Sequence, residues 1–115
     1  MGCSPKMPRA NPGEVWIVEL GLAAKVRPCL VLGDYPKDDE LSLVIIVPHT
    51  TAVRNTRWEL PISKMFLKTG VFHLQQLQSV PIVRLQRRIG ELADEELRLV
   101  RSKLSELLHL APLAT

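Results

Sequence analysis

The sequence predicts an α+β domain in which a small, strongly bent antiparallel sheet is followed by one C-terminal helix. Three observations carry that expectation. "GEVWIVEL" (Gly13–Leu20) sets a β-branched and aromatic apolar run between Glu14 and Glu19 and reads as a half-buried strand. Short apolar runs of strand length then recur, "CLVLGD" at Cys29–Asp34 and "LSLVIIV" at Leu41–Val47, divided by the turn-rich acidic segment "YPKDDE". From Asp94 the period becomes helical, with Leu97, Val100, Leu104, Leu107, Leu108 and Ala111 on one stripe.

"GLAAKVRP" reads as the connector into the second strand, with Arg27 just ahead of it. Pro28 is tolerated in a strand only at its first residue or on an edge. The third strand ends at "PHTT", and "RWELPI" (Arg57–Ile62) makes the fourth. "KTG" at Lys68–Gly70 punctuates, after which "VFHLQQLQSV" (Val71–Val80) reads as extended up to Pro81. Pro81 suits the first position of a single helical turn, "PIVRL", and "QRRIGEL" is a last short strand. In the helix, Asp94, Glu95 and Glu96 complement the dipole, Asp94 takes the cap that Ala93 lacks, and Pro112 is the stop.

At 115 residues the chain is expected to form one domain over 12–111, with a disordered lead-in over 1–11 and a tail over 112–115. A hydrophobic share of 46% and a charged share of 23% are those of an ordinary globular protein. Only five residues are aromatic, so Leu, Val and Ile must build the core. No apolar run reaches the roughly 20 residues of a membrane span, and the N-terminus lacks a secretory apolar region. A cytoplasmic protein without a membrane partner is expected. Cys3 lies in the lead-in and Cys29 in an apolar run, which argues for a buried, reduced thiol rather than a disulfide.

The net charge of +3 becomes informative once mapped. Between Ala23 and Gly90 stand ten basic residues and five acids, four of the acids within Asp34–Glu40. The rest of that span sets nine basic residues against Glu59 alone, which suits a polyanionic partner as well as a solvated basic face.

No phosphate-binding glycine loop occurs, and His49, His73 and His109 are too scattered for a metal set. Neither metal nor cofactor is expected. What remains is basic and hydroxylic. Arg27, held beside Pro28, can offer its planar fork to a phosphate, or it is a surface arginine in a connection. Thr50 and Thr51 can donate to a phosphate oxygen, or satisfy loop backbone groups. His49 is a candidate base or a structural imidazole. Arg54 and Arg57 follow on the next loop, and Gln75, Gln76 and Gln78 are amides that need partners.

In order, "GEVWIVEL", "VRPCLVL", "LVIIVPHTT", "RWELP", "HLQQLQSV" and "QRRIGELADEEL" resemble the MazF/PemK toxins of bacterial toxin–antitoxin pairs over about Pro12 to Leu110. The resemblance implies a small SH3-like, strongly bent antiparallel barrel of MazF/PemK/CcdB type with a C-terminal helix, acting as a homodimer. It implies a metal-independent endoribonuclease that cuts single-stranded RNA to a 2′,3′-cyclic phosphate and a 5′-hydroxyl, neutralised by a small MazE-like antitoxin. The family's catalytic arginine falls on Arg27 and its catalytic threonine on Thr50. His49 and Gln76 are candidate catalytic or supporting residues, and Lys25, Thr51, Arg54 and Arg57 candidate RNA contacts. The connector before Arg27 is shorter than the family's loop and lacks its Gly-Ser-Glu-Gln tetrad. Gln78 stands where many members carry a basic residue. The alternative is a non-catalytic member that binds nucleic acid, antitoxin or DNA gyrase; the C-terminal "LLHLAPLAT" lacks the aromatic a gyrase contact needs.

Overall fold

The structure, a computed structural model, describes residues 9–21 and 25–110. Expectations for most of the lead-in with Cys3, the middle of the connector, Ala111, Pro112 and the tail lie outside the described residues. Seven strands and one helix follow in chain order: β1 (Glu14–Glu19), β2 (Val26–Val31), β3 (Leu43–Thr50), β4 (Glu59–Leu60), β5 (Val71–His73), β6 (Gln78–Pro81), β7 (Leu85–Glu91) and α1 (Asp94–Leu107). Single 3₁₀ turns at Leu74–Gln76 and Ile82–Arg84 precede β6 and β7.

All pairings are antiparallel, in the order β4-β5-β3-β2-β1-β7, with β6 as a further partner of β3. One flank of β3 is divided: Leu43–Ile46 pair with β6, while His49 and Thr50 pair with β5. Two register shifts interrupt the β1–β7 ladder, and such irregularities bend and twist a sheet. Among the described residues β4 and β7 end the path and do not pair with each other. The sheet is the strongly bent antiparallel one that the resemblance implied, with its barrel left open between β4 and β7.

Several boundaries differ from expectation. β2 starts at Val26 rather than Cys29, so Arg27 and Pro28 lie inside the strand. Pairing of β2 with β3 begins only at Cys29, so Pro28 has β1 on one flank and no ladder partner on the other. A missing N–H costs little on such an edge. β3 runs on through Pro48 and His49 to Thr50 instead of ending at Val47, and β4 is shorter than expected. The stretch read as extended over Val71–Val80 folds over at Leu74. That side chain is fully buried, its N–H donates to the Trp58 carbonyl at 3.0 Å, and the 3₁₀ turn leaves Gln75 and Gln76 exposed.

Alternation along the strands builds two cores. Val15, Leu30 and Val47 face Phe72, Leu74 and the helix residues Val100 and Leu104. Trp16, Val18, Cys29, Val31, Val44 and Ile46 face Ala10, Val80 and Leu85. Both faces of β2 from Cys29 and of β3 from Ile46 are thus covered, which is why those segments read as nearly unbroken apolar runs. Ala10 is wholly buried, so packing starts ahead of Pro12.

In α1, Val100 and Leu104 are buried and Leu97 and Leu107 half-buried, whereas Leu108 lies beyond the helix and is exposed. Ala93 occupies the cap, and the Glu96 carboxylate accepts its N–H at 2.7 Å, so Glu96 supplies the cap expected of Asp94. The helix ends because His109 turns left-handed (φ 57°). The His109 and Leu110 N–H groups then donate to the Glu106 and Ser105 carbonyls at 3.2 and 2.8 Å, a Schellman closure ahead of Pro112. Among the described residues no helix is long and apolar enough to cross a membrane.

Candidate active site

The β2–β3 ladder stops at the pair Cys29–Pro48, and carrying its register two residues further sets Arg27 opposite Thr50. The side chains meet there: Arg27 Nη1 donates to Thr50 Oγ1 at 3.5 Å. Thr50 Oγ1 also accepts the Ala52 N–H at 3.0 Å, which folds the chain back as β3 ends. With two donors on the oxygen, its own hydrogen is directed elsewhere. The Cys29 thiol donates weakly to the Arg27 carbonyl at 3.6 Å and steadies the strand behind the guanidinium.

Gly70 backs this corner. A Cβ there would overlap the Thr50 carbonyl and lie 2.8 Å from His49 Cε1, so close approach of the chain requires glycine.

His49 and Thr50 point to opposite faces of β3. His49 is buried with Phe72 edge-on at 5.1 Å, and its Nε2 has no hydrogen-bond partner. Burial lowers its pKa, so the imidazole is neutral near pH 7. On its face opens a groove of about 370 Å³ lined by Ile17, Val26, Arg27, Pro28, His49, Thr51, Phe66, Lys68, Arg87 and Ile89. Among the described residues no acidic side chain lines it.

The remaining expected site residues are placed apart. Lys25 is exposed just before β2, and Gln76 is exposed on the 3₁₀ turn; neither lines the groove. Arg54 and Arg57 are exposed on the loop after Thr51, and Arg57 lies over the Trp58 ring at 4.5 Å. That loop does hold an anion, but an internal one. The buried Glu59 carboxylate accepts the Arg54 and Thr56 N–H groups at 2.9 and 2.7 Å, with Asn55 left-handed between them.

Sequence reasoning missed Phe66, Lys68 and Arg87. Arg87 lies opposite Ile17, whose other neighbour is Pro28, so all three share the groove face. Adjacent Arg88 is engaged by Glu14 and Glu91 at 3.3 and 2.9 Å, whereas neither Arg87 nor Lys68 is ion-paired among the described residues.

Two outcomes follow from the protonation of this region. Burial pushes the Cys29 thiol up to about 12, with the Arg27 charge opposing only weakly. Cys29 is therefore expected to resist alkylation in the native state at pH 8 and to react on unfolding, as timed thiol labelling will show. Glu59 titrates below its ordinary 4.5, held down first by the Thr56 N–H and then by the Arg54 N–H. A depressed carboxyl contributes stability above its unfolded-state value, and that contribution is lost as pH falls through the folded one. The Arg54 and Thr56 amide resonances are expected to shift together as pH falls, with a midpoint below 4.5.

Among the described residues no three His, Cys, Asp or Glu side chains gather as metal ligands would.

With the geometry in place, comparison with known proteins is informative. Residues 11–108 match the family model described as PemK-like, MazF-like toxin of type II toxin–antitoxin system. A probable endoribonuclease, MazF5 of Mycobacterium tuberculosis, is 30% identical over 91 residues, 76% of this chain and 83% of that protein. The solved M. tuberculosis toxin MazF-mt6 superposes with a TM-score of 0.73 at 26% identity, covering 86% of this chain and 99% of that one. A MazE–MazF structure from Deinococcus radiodurans shares the fold, with a TM-score of 0.74 at 21% identity over 90% of this chain and 100% of that one.

Proposed function

This chain belongs to the PemK-like, MazF-like toxins of type II toxin–antitoxin systems, and on that premise we propose that it is a sequence-specific endoribonuclease of single-stranded RNA. The cut needs no metal and leaves a 2′,3′-cyclic phosphate and a 5′-hydroxyl. The observation that carries this reading is the Arg27–Thr50 pair at the unladdered end of β2 and β3.

That pair is suited to a reaction in which the substrate supplies its own nucleophile. The RNA 2′-hydroxyl attacks the adjacent phosphorus and gives its proton to solvent, a 2′-O–P bond forms, the P–O5′ bond breaks, and the departing 5′-oxygen takes a proton from solvent. Arg27 offsets the charge that grows on the phosphoryl oxygens, and the Thr50 hydroxyl, already accepting two donors, donates to one of them. Together they hold the in-line geometry. A guanidinium stays protonated and is a poor base, so the role of Arg27 is electrostatic. His49 is neutral, as a base must be, but its Nε2 is enclosed; we assign it to support of the site. Lys25, Arg54 and Arg57 are RNA contacts outside the groove.

The family's biology supplies the partners in this proposal: a cognate antitoxin and a second copy of the chain. The outer face of β3 exposes Leu43 and Ile45, with Leu41 exposed just before it, an apolar surface that suits self-association. Gln76, exposed on its turn, is assigned to that assembly.

The test is incubation of the purified protein with long RNA in excess EDTA, followed by mapping of the ends. Discrete cuts with cyclic-phosphate ends are expected. RNA or antitoxin binding with no cutting at any concentration would instead mark a non-catalytic member.

A further inference from the structure

The groove behind the Arg27–Thr50 corner has more machinery than the cut itself requires. Its floor is apolar, made by Ile17, Val26, Pro28 and Ile89, and Phe66 closes one side. The Phe66 ring rests directly on bare backbone: a Cβ at Gly90 would fall inside it. That contact holds the ring in place as a wall. Lys68 and Arg87 line the groove with Arg27, without ion-pair partners among the described residues and without an acid on the lining. His49 brings a buried nitrogen that lacks a hydrogen-bond partner.

An apolar slot with an aromatic wall and three cations matches a particular ligand chemistry. A nucleobase offers a flat face to the aromatic wall and donors and acceptors on its edge, and its phosphate is an anion. A volume of about 370 Å³ is of the size that holds a small ligand.

We propose that this groove is a nucleotide subsite, taking the base of a residue next to the scissile phosphate against Phe66 and its phosphate on Lys68 and Arg87. The proposal rests on the endoribonuclease reading for the identity of its ligand. The connection is short: His49 and Thr51 of the groove flank Thr50 in the chain, and Arg27 borders both. An RNA strand crossing the open end between β2 and β3 sets a phosphate at the Arg27–Thr50 pair and the neighbouring nucleotide in the groove. The base then lies against the Phe66 ring, which makes Phe66 a determinant of which base is accepted.

Two measurements test this. In a Thr50→Ala background, binding of a fluorescent single-stranded RNA pool is followed against salt, with and without the Lys68→Ala/Arg87→Ala pair. Loss of two phosphate contacts is expected to make the log–log slope shallower by about 1.4, at roughly 0.7 per contact for single strands. In protein with Thr50 intact, Phe66→Leu is expected to change the base preferred at one position beside the cut, read by sequencing the ends. Lys68 and Arg87 lie outside both cores, Phe66→Leu keeps an apolar side chain against the core that Phe66 borders, and thermal melts check folding of each variant.

An unchanged slope together with unchanged cut sites overturns the subsite. So does loss of antitoxin binding alone, which would make the groove a protein-docking surface. If the unaltered protein cuts nothing yet its RNA binding depends on Lys68 and Arg87, the endoribonuclease reading falls and the groove remains.

Discussion

Arg27→Ala is expected to lower RNA cutting by at least about 10²–10³-fold, the usual cost of removing one preorganised donor to a developing charge. The melting temperature should change little. Arg27 is half-buried, its backbone pairs with Val18 of β1, and its one side-chain hydrogen bond among the described residues is the long one to Thr50. Arg27→Lys should recover only part of the loss, because an ammonium keeps the charge but not the planar fork. Single-turnover rates with RNA in excess EDTA separate these cases. Full activity in Arg27→Ala at unchanged protein concentration would remove this residue from the chemistry.

The second large effect lies behind the site. Gly70→Ala is expected to destabilise the fold by about 3 kcal/mol, at the upper end for overpacking, and to lower the melting temperature on the order of 10 °C. The new Cβ meets the Thr50 carbonyl and the His49 ring. Neither is the tip of a flexible side chain, so β3 or β5 must move. Any such shift separates Thr50 from Arg27, and cutting should fall in the protein that remains folded. Denaturant unfolding paired with activity at a temperature well below the transition distinguishes the two losses. A melting temperature within a degree or two of the unaltered protein would mean that the corner yields freely.

How far these features were legible depends on what sets each of them. α1 follows from periodicity, because one stripe carries its burial, whereas β1 was legible as a short apolar run whose Val15 and Trp16 enter different cores. The start of β2 was not, since proline argues against a strand unless its flank is known to be open, and that openness belongs to the sheet. The same holds for Pro48 inside β3, which sits at the last rung with Cys29. The turn at Leu74 reflects a buried side chain overriding an extended pattern.

At the site, Arg27 and Thr50 were legible from residue type and resemblance, but their pairing is a matter of register. The basic loop at Arg54–Arg57 attracted notice for an anion, and the anion proved to be Glu59. Arg87 and Arg88 are indistinguishable as letters. Their different fates depend on the β1–β7 register and its two shifts, which turn Arg88 to Glu14 and Arg87 to the groove. Phe66 lies in an irregular segment with no period to read, and only Gly90 beneath it explains its position.

The central claim is that the protein contributes charge and geometry while the RNA contributes the nucleophile. The most direct measurement compares an RNA oligonucleotide bearing one mapped cut site with the same oligonucleotide carrying a single 2′-deoxy substitution at the attacking position. The deoxy substrate is expected to bind the Thr50→Ala protein as tightly as the all-ribose one, yet to resist cutting by the unaltered protein entirely. Cutting of the deoxy substrate at a comparable rate would contradict the mechanism, because a nucleophile from the protein or from water would then have to be found.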